Sequence, residues 1–405
     1  MMKFKLSKNI AVTSITESEE FEVPLQYKND HYILYDQRRD KDFLINSTVK
    51  YYLDKFSFPK TQAEVLQEIA EDVQGKTTQL EEACATFFNF LCKKNILIPE
   101  NTVETENIAE PVYKEGDNID EGTIVEVLSE RDYVDIYRAV NTSTGFAYVI
   151  KSLNSNKTNN QQRYQKELVE LEREYLALKS VDHIPSVCKA YSFYKGDELN
   201  AYITLEYIEG KSLSTFLNDA EGLHEADCLR LIEHILHAFS LLHNSKVIHG
   251  DIHSSNIMVL ENKSIKIIDL GLSRNVETDK NEVLSFGGVN FYMPPERINI
   301  TSSKKYLKEP DLYSDVYQIG LLMYLVLYNN LPFDGFIWEE LAVNIKETDA
   351  VFADMSFLNY RVSDTLILII QKCLNKVPAE RYRSASDIFE DFKKLVLKKT
   401  EQHVN

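Results

Sequence analysis

Two short stretches, VIHGDIHSSNIMV (Val247–Val259) and SIKIIDLG (Ser264–Gly271), constrain this 405-residue chain more than anything else in it. The first sets His249, Asp251, His253 and Asn256 close together on a polar loop; the second is a strand pattern that ends on Asp269-Leu270-Gly271. Carboxylate and amide oxygens are the hard ligands that Mg2+ takes. Upstream, Lys151 sits in the strand pattern AYVIKSL and Glu174 in the charged helical stretch REYLALKSVDH. Moving a phosphoryl group needs a cation on the triphosphate, acidic ligands for Mg2+ and a group that orients the attacking hydroxyl. Taken singly, each of these residues reads as a solvated side chain or a chance H-x-D on a surface loop. Their order along one chain is what gives them meaning.

That order resembles the protein kinase family. His249, Asp251 and Asn256 match the H-R-D-x-x-x-x-N catalytic loop, and Asp269-Leu270-Gly271 stands where D-F-G belongs. The resemblance implies that Asp251 accepts the hydroxyl proton, that Asn256 and Asp269 ligate magnesium, and that Lys151 holds the α- and β-phosphates of ATP while paired with Glu174. His253, in place of the lysine that follows the aspartate by two in serine/threonine kinases, joins the catalytic set. LEYIEG (Leu205–Gly210) resembles the hinge between lobes, with Leu205 as gatekeeper and the backbone of Glu206 and Tyr207 facing adenine. YMPPER (Tyr292–Arg297) places Glu296 in the A-P-E position; Asp315 in YSDVYQIG braces the catalytic loop, and Arg381 in AERYRS pairs with Glu296. These late motifs separate protein kinases from the small-molecule kinases that share an H-G-D-x-H-x-x-N loop. The implied cofactors are ATP and Mg2+, and the implied activity is a serine/threonine kinase.

Two departures stand out. Aligning Ile136 with the valine of G-x-G-x-x-G-x-V puts Ser129, Arg131 and Val134 at the glycine positions, so the phosphate loop has no glycine. Side chains there limit how closely the backbone approaches a phosphate; Ser129 and Arg131 are the candidates to bind it instead. An ATP-binding pseudokinase scaffold is therefore an alternative reading. The loop arginine of H-R-D is Gly250, and Val289 replaces the activation-segment threonine. The expectation is an enzyme that does not depend on phosphorylation between Asp269 and Glu296, where Ser273, Thr278 and Ser285 are the candidate acceptors.

The fold expected is α+β: a winged-helix-like domain of three strands and three helices over residues 1–100, an acidic linker over 101–120, and a bilobal kinase domain over 121–397, with an N-lobe at 121–206 and a C-lobe at 211–397. In the first domain FEVPLQ (Phe21–Gln26), HYILYD (His31–Asp36) and DFLI (Asp42–Ile45) read as strands. Helices follow with Val49, Tyr52, Leu53 and Phe56 on one face, then one opened by the capping box Thr61-x-x-Glu64, then one carrying Leu80, Cys84, Phe87, Phe88 and Leu91.

LINSTVKYYLDKF, KTQAEVLQEIAEDV and LEEACATFFNFLCKKNILI resemble the peptide chaperone of pyrroloquinoline quinone biosynthesis, the leader-peptide recognition element of enzymes that modify ribosomal peptides. The resemblance implies that a leader adds a strand near Asp42–Ile45 and packs on the third helix, with Phe43, Leu44, Phe87 and Leu91 as peptide-binding residues. The implied partners are a precursor peptide and companion peptide-modifying enzymes. The alternative is a signalling kinase with a DNA- or protein-docking winged helix.

Composition narrows the rest. The net charge of -18 disfavours nucleic acid, which calls for clustered Lys and Arg. Five scattered cysteines form no C-x-x-C pair and read as reduced thiols, and no apolar run is long enough to span a membrane or serve as a signal, so a cytoplasmic protein is expected.

Overall fold

The structure is a computed structural model. It describes residues 2–8, 10–14, 31–36, 41–72, 78–93, 96–102, 111–120, 122–130, 133–154, 161–196, 201–219, 223–276, 290–298, 309–333, 338–352 and 362–404. The chain divides into two compact units that part between Glu110 and Pro111.

In the first unit, β1 (Phe4–Leu6) pairs antiparallel with β5 (Leu97–Pro99). A three-stranded antiparallel sheet has β2 (Ile10–Ser14), β3 (His31–Asp36) and β4 (Lys41–Asn46) in that order. Helices α1 (Ser47–Asp54), α2 (Gln62–Asp72) and α3 (Thr78–Lys93) follow. The Thr61 amide donates to Glu64 Oε2 at 2.7 Å and the Glu64 amide to Thr61 Oγ1 at 3.2 Å, so the capping box closes in both directions. Leu34, Leu53, Phe56, Val65, Phe88 and Leu91 share the core. The expected strand at Phe21–Gln26 lies outside the described residues. The expected strands at His31 and Asp42 are present. Ile10–Ser14 and the β1–β5 pair were not expected, because three- and five-residue strands near a terminus carry little periodicity of their own.

The second unit begins with a six-stranded sheet. It comprises β6 (Asn118–Ile119), β7 (Gly122–Glu130), β8 (Val134–Asn141), β9 (Ala147–Leu153), β10 (Ala190–Tyr194) and β11 (Tyr202–Glu206), in the order β10-β11-β9-β8-β7-β6. Helix α4 (Gln161–Ser180) packs on it through Tyr164, Leu168 and Leu171.

The linker expectation needs correction here: residues 111–120 are part of this lobe. The Val112 amide donates to Asp135 Oδ2 at 3.3 Å, and Tyr113 packs edge-on against Tyr137, with ring centroids 5.6 Å apart. Asp135 is fully buried and also accepts from Asn154 Nδ2 at 2.6 Å and from the Tyr137 hydroxyl at 3.1 Å. A polar, proline-bearing segment reads as a linker by composition, yet a buried carboxylate needs donors, and this segment supplies one of them.

The second lobe is mostly helical. After β12 (Gly210–Ser212), α5 (Leu213–Asp219) and α6 (Glu225–Asn244) come β13 (Val247–Ile248), β14 (Ile257–Leu260), β15 (Ile265–Ile267) and β16 (Arg274–Asn275). Then follow α7 (Leu312–Tyr328), α8 (Trp338–Glu347), α9 (Asp364–Cys373) and α10 (Ala385–Val404). From Ile319 onward helix α7 is apolar or aromatic on every side and runs through the core, as an all-round hydrophobic helix must. Its start is fixed by a capping box between Asp311 and Ser314. Among the described residues no helix is long and apolar enough to cross a membrane.

Candidate active site

Lys151 lies on β9, central in the first lobe's sheet, and its ammonium meets Glu174 of α4 at 2.7 Å (Oε1) and 2.6 Å (Oε2). Glu174 is buried, since α4 turns that face toward the sheet with Leu171 and Leu178. Asp269 Oδ2 is 3.6 Å from the same ammonium. One cation thus ties strand, helix and the D-L-G turn together. Asp269 adopts a left-handed backbone conformation (φ 64), and its Oδ1 accepts the Gly271 amide at 3.0 Å. A Cβ on Gly271 would stand 3.1 Å from that oxygen, a tight contact, and 3.6 Å from Glu174 Oε2. Leu270, between them, is buried in the core with Leu178 and Ala190.

The catalytic loop is held from beneath. Asp315, fully buried at the start of α7, accepts the His249 amide (Oδ2, 2.7 Å) and the Gly250 amide (Oδ1, 2.9 Å), and meets His243 Nε2 at 3.1 Å. Three residues on, Gln318 accepts the Ile252 amide at 3.1 Å and donates to the Tyr292 carbonyl at 3.2 Å. The Asp251 amide donates to His249 Nδ1 at 3.3 Å, and Asn256 Nδ2 donates to the Asp251 carbonyl at 3.1 Å. His249 is therefore the neutral tautomer with its proton on Nε2; complete burial pushes its pKa below the ordinary imidazole range. His253 Nε2 lies 3.7 Å from Asp251 Oδ2.

Glu296 and Arg381 form a two-pronged ion pair, at 2.9 and 2.7 Å, with the guanidinium buried. At the hinge, the Glu206 carboxylate is taken by Lys266 (2.5 Å) and the Lys189 amide (3.2 Å), while the Arg138 guanidinium lies 4.5 Å from the Tyr207 ring centroid. Cys188, beside Glu206, is buried and its thiol is pushed up to about 12 by desolvation, which makes it inert.

Most of the expected residues converge: Lys151, Glu174 and Asp269 form one cluster, His249, Asp251, His253 and Asn256 another, with Asp315 beneath. Ser129 lies partly buried at the end of β7, and Arg131 lies outside the described residues. Ser273 requires correction as a candidate phosphate acceptor. It is buried, and its hydroxyl donates to the Leu270 carbonyl at 2.6 Å; Thr278 and Ser285 lie outside the described residues.

Of the proposed peptide contacts, Phe43 and Leu44 fall on β4, paired with Leu34 and Ile33, and Phe87 is half-buried on α3. Leu91 requires correction: at 1% exposure it belongs to the first unit's core and is not available to a ligand. Sequence reasoning missed Gln318 and His243. A usable signal was present for Gln318: polar residues three apart, Asp315 and Gln318, on a helix otherwise apolar.

The donor set fits a nucleotide and a hard cation. Asp269 offers a carboxylate, and Asn256, its nitrogen committed to Asp251, offers its amide oxygen, the pairing that Mg2+ takes together with substrate phosphates. A lobe of sheet and one helix carries Lys151, and a helical lobe carries Asp251, Asn256 and Asp269. The chain belongs to the protein kinase family: a family profile for the protein kinase domain matches residues 124–392. The serine/threonine-protein kinase PrkC of Bacillus subtilis is 31% identical over 227 residues, 55% of this chain and 33% of that protein. Calcium-dependent protein kinase 5 of Plasmodium falciparum is 29% identical over 259 residues, 63% of this chain and 42% of that protein. The probable serine/threonine-protein kinase PknB of Lactococcus lactis is 24% identical over 272 residues, 66% of this chain and 41% of that protein. The chain thus spans less than half the length of these relatives.

Proposed function

We propose that this chain transfers the γ-phosphate of ATP, with Mg2+, to serine or threonine hydroxyls, and that its acceptor is a ribosomally made precursor peptide held through its leader by the first unit. The observation that carries the kinase reading is the Lys151 ammonium shared between Glu174 and Asp269 in the same unit as the Asp315-braced Asp251 loop. Asp251 orients the attacking hydroxyl and accepts its proton as the oxygen–phosphorus bond forms and the bond to the departing ADP breaks. Lys151 holds the α- and β-phosphates, Glu174 keeps Lys151 in place, and His253 adds a donor beside Asp251. Bound Mg2+, held by Asp269 and Asn256, would neutralise charge on the β- and γ-phosphates. The serine/threonine assignment draws on the relatives named above.

The leader reading rests on the resemblance of the first 100 residues. Among the described residues β4 stands at the end of its sheet order, which supports it, since a peptide adds to a terminal strand. Companion enzymes would carry any later modification. The test is steady-state kinetics on a precursor peptide and on the same core peptide without its leader. The precursor should show a KM lower by at least tenfold at similar kcat, and free leader should compete. Equal kcat/KM for the two peptides would refute leader recognition and favour a kinase that docks a protein partner.

A further inference from the structure

Gly250 is confined on every side. Its backbone is left-handed (φ 80), its amide is held by Asp315, and its carbonyl accepts from Arg297 Nη1 at 3.2 Å. Arg297 is itself buried, at 1% exposure. A Cβ at position 250 would stand 2.6 Å from the Leu272 carbonyl oxygen and 3.0 Å from Pro310 Cγ. No side chain enters there without moving backbone or proline, and the missing loop arginine is explained by what has been built against its Cα.

Beside the Leu272 carbonyl, the second obstacle is Pro310, which with Glu309 stands immediately ahead of the Asp311 cap of α7. Glu309 Oε2 pairs with Arg274 Nη1 at 2.6 Å; the two side chains are 35% and 19% exposed. Arg274 lies on β16 opposite Ile248 of β13, and β13 leads directly into His249, Gly250 and Asp251. Its Nε is buried and has no hydrogen-bond partner, so Glu309 accepts the one side-chain hydrogen bond described for this guanidinium.

We propose that Arg274 and Glu309 are positioning residues for Asp251. A carboxylate carried by the chain itself fixes the β16 arginine, while Pro310, one residue on, closes over Gly250. The entry to the catalytic loop is thereby tied to the start of α7, which already holds the loop amides through Asp315. The carboxylate at Arg274 is part of the chain and not added by modification, so the loop needs no phosphate to be set. This inference rests on the kinase reading and names what positions the same site.

The test uses the full chain with Mg-ATP, casein as a general acceptor, and a fluorescent ATP analogue to measure nucleotide affinity. Wild type should transfer phosphate equally well before and after phosphatase treatment. Glu309→Gln and Arg274→Ala should each lower kcat 10- to 100-fold, leaving KM for casein and the analogue's Kd within twofold. Glu309→Asp, which keeps the charge, should recover most of the rate, and Arg274→Glu with Glu309→Arg should exceed Arg274→Glu alone by at least tenfold. Thermal unfolding within about 2 °C of wild type would separate a positioning role from a general loss of fold. Should Glu309→Gln unfold, the swapped pair and Glu309→Asp carry the test. A kcat unchanged in Glu309→Gln and Arg274→Ala, or a wild type that loses activity on phosphatase treatment, would overturn the inference. A wild type that binds the analogue yet turns over no Mg-ATP at all, by transfer to casein, to itself or to water, would instead overturn the kinase reading, and this inference with it.

Discussion

Replacing Arg381 by Met removes a buried side chain that is bonded through all three of its guanidinium nitrogens. Its guanidinium makes four bonds: Nε to the Asn375 carbonyl at 2.7 Å, Nη1 to Glu296 Oε1 and to the Tyr313 carbonyl, both at 2.9 Å, and Nη2 to Glu296 Oε2 at 2.7 Å. It also lies 4.8 Å from the Tyr317 ring centroid. The arginine side chain is 0% exposed and the glutamate 12%, so water screens the pair little. Breaking a buried ion pair from one side costs about 3–5 kcal/mol, because the other charge stays buried without its partner. At about 2–4 °C per kcal/mol, and towards the low end for a unit this large, melting should fall by roughly 6–15 °C. Adding Glu296→Gln to Arg381→Met should win back more than about 1 kcal/mol, since the orphaned charge goes with it. Urea unfolding followed by the fluorescence of the chain's one tryptophan, Trp338, reads both variants. Arg381→Met within about 1 kcal/mol of wild type, or a double variant no more stable than the single, would refute the reasoning.

Further outcomes follow from the same geometry. Asp269→Asn should weaken Mg-dependent nucleotide binding by at least tenfold while binding without Mg2+ changes little; isothermal titration with and without the metal checks this, and equal loss in both arms would count against a metal role. His249 is held neutral in the folded state, with a pKa below its unfolded value. Below about pH 6.5 the unfolded chain binds a proton that the folded chain refuses, so stability falls as pH drops through that value towards the folded pKa. Urea titrations between pH 7 and 5 should show a shallower fall for His249→Gln than for wild type. Asp135→Leu should lower stability by several kcal/mol, since it removes at once the acceptor of the Asn154 amide, the Tyr137 hydroxyl and the Val112 amide; hydrogen exchange should speed up over residues 111–120.

The candidate site was legible because a protein kinase domain fixes residue types and their order. Lys151, Glu174, Asp251, Asn256 and Asp269 carry charges or amides that no apolar core would keep in that sequence, and each falls on the element its local pattern implied. Residues 111–120 were not legible: their role in the lobe is set by a long-range bond to Asp135 and by Tyr113 packing on Tyr137, and neither leaves a local pattern. The Arg274–Glu309 pair is hidden for the same reason, since its partners stand 35 residues apart. Leu91 shows the opposite error. An apolar residue on a helix face serves a core and a ligand groove equally well in sequence, and only packing decided for the core.

The central claim is that Asp251 works as the group that orients the acceptor beside a nucleotide held by Lys151. The most direct test is single-turnover phosphoryl transfer from radiolabelled ATP by wild type and Asp251→Asn, with nucleotide affinity measured on the same preparations. The account predicts affinity within about threefold of wild type and transfer slower by about 10²–10⁴-fold. Transfer at the wild-type rate in Asp251→Asn would contradict it.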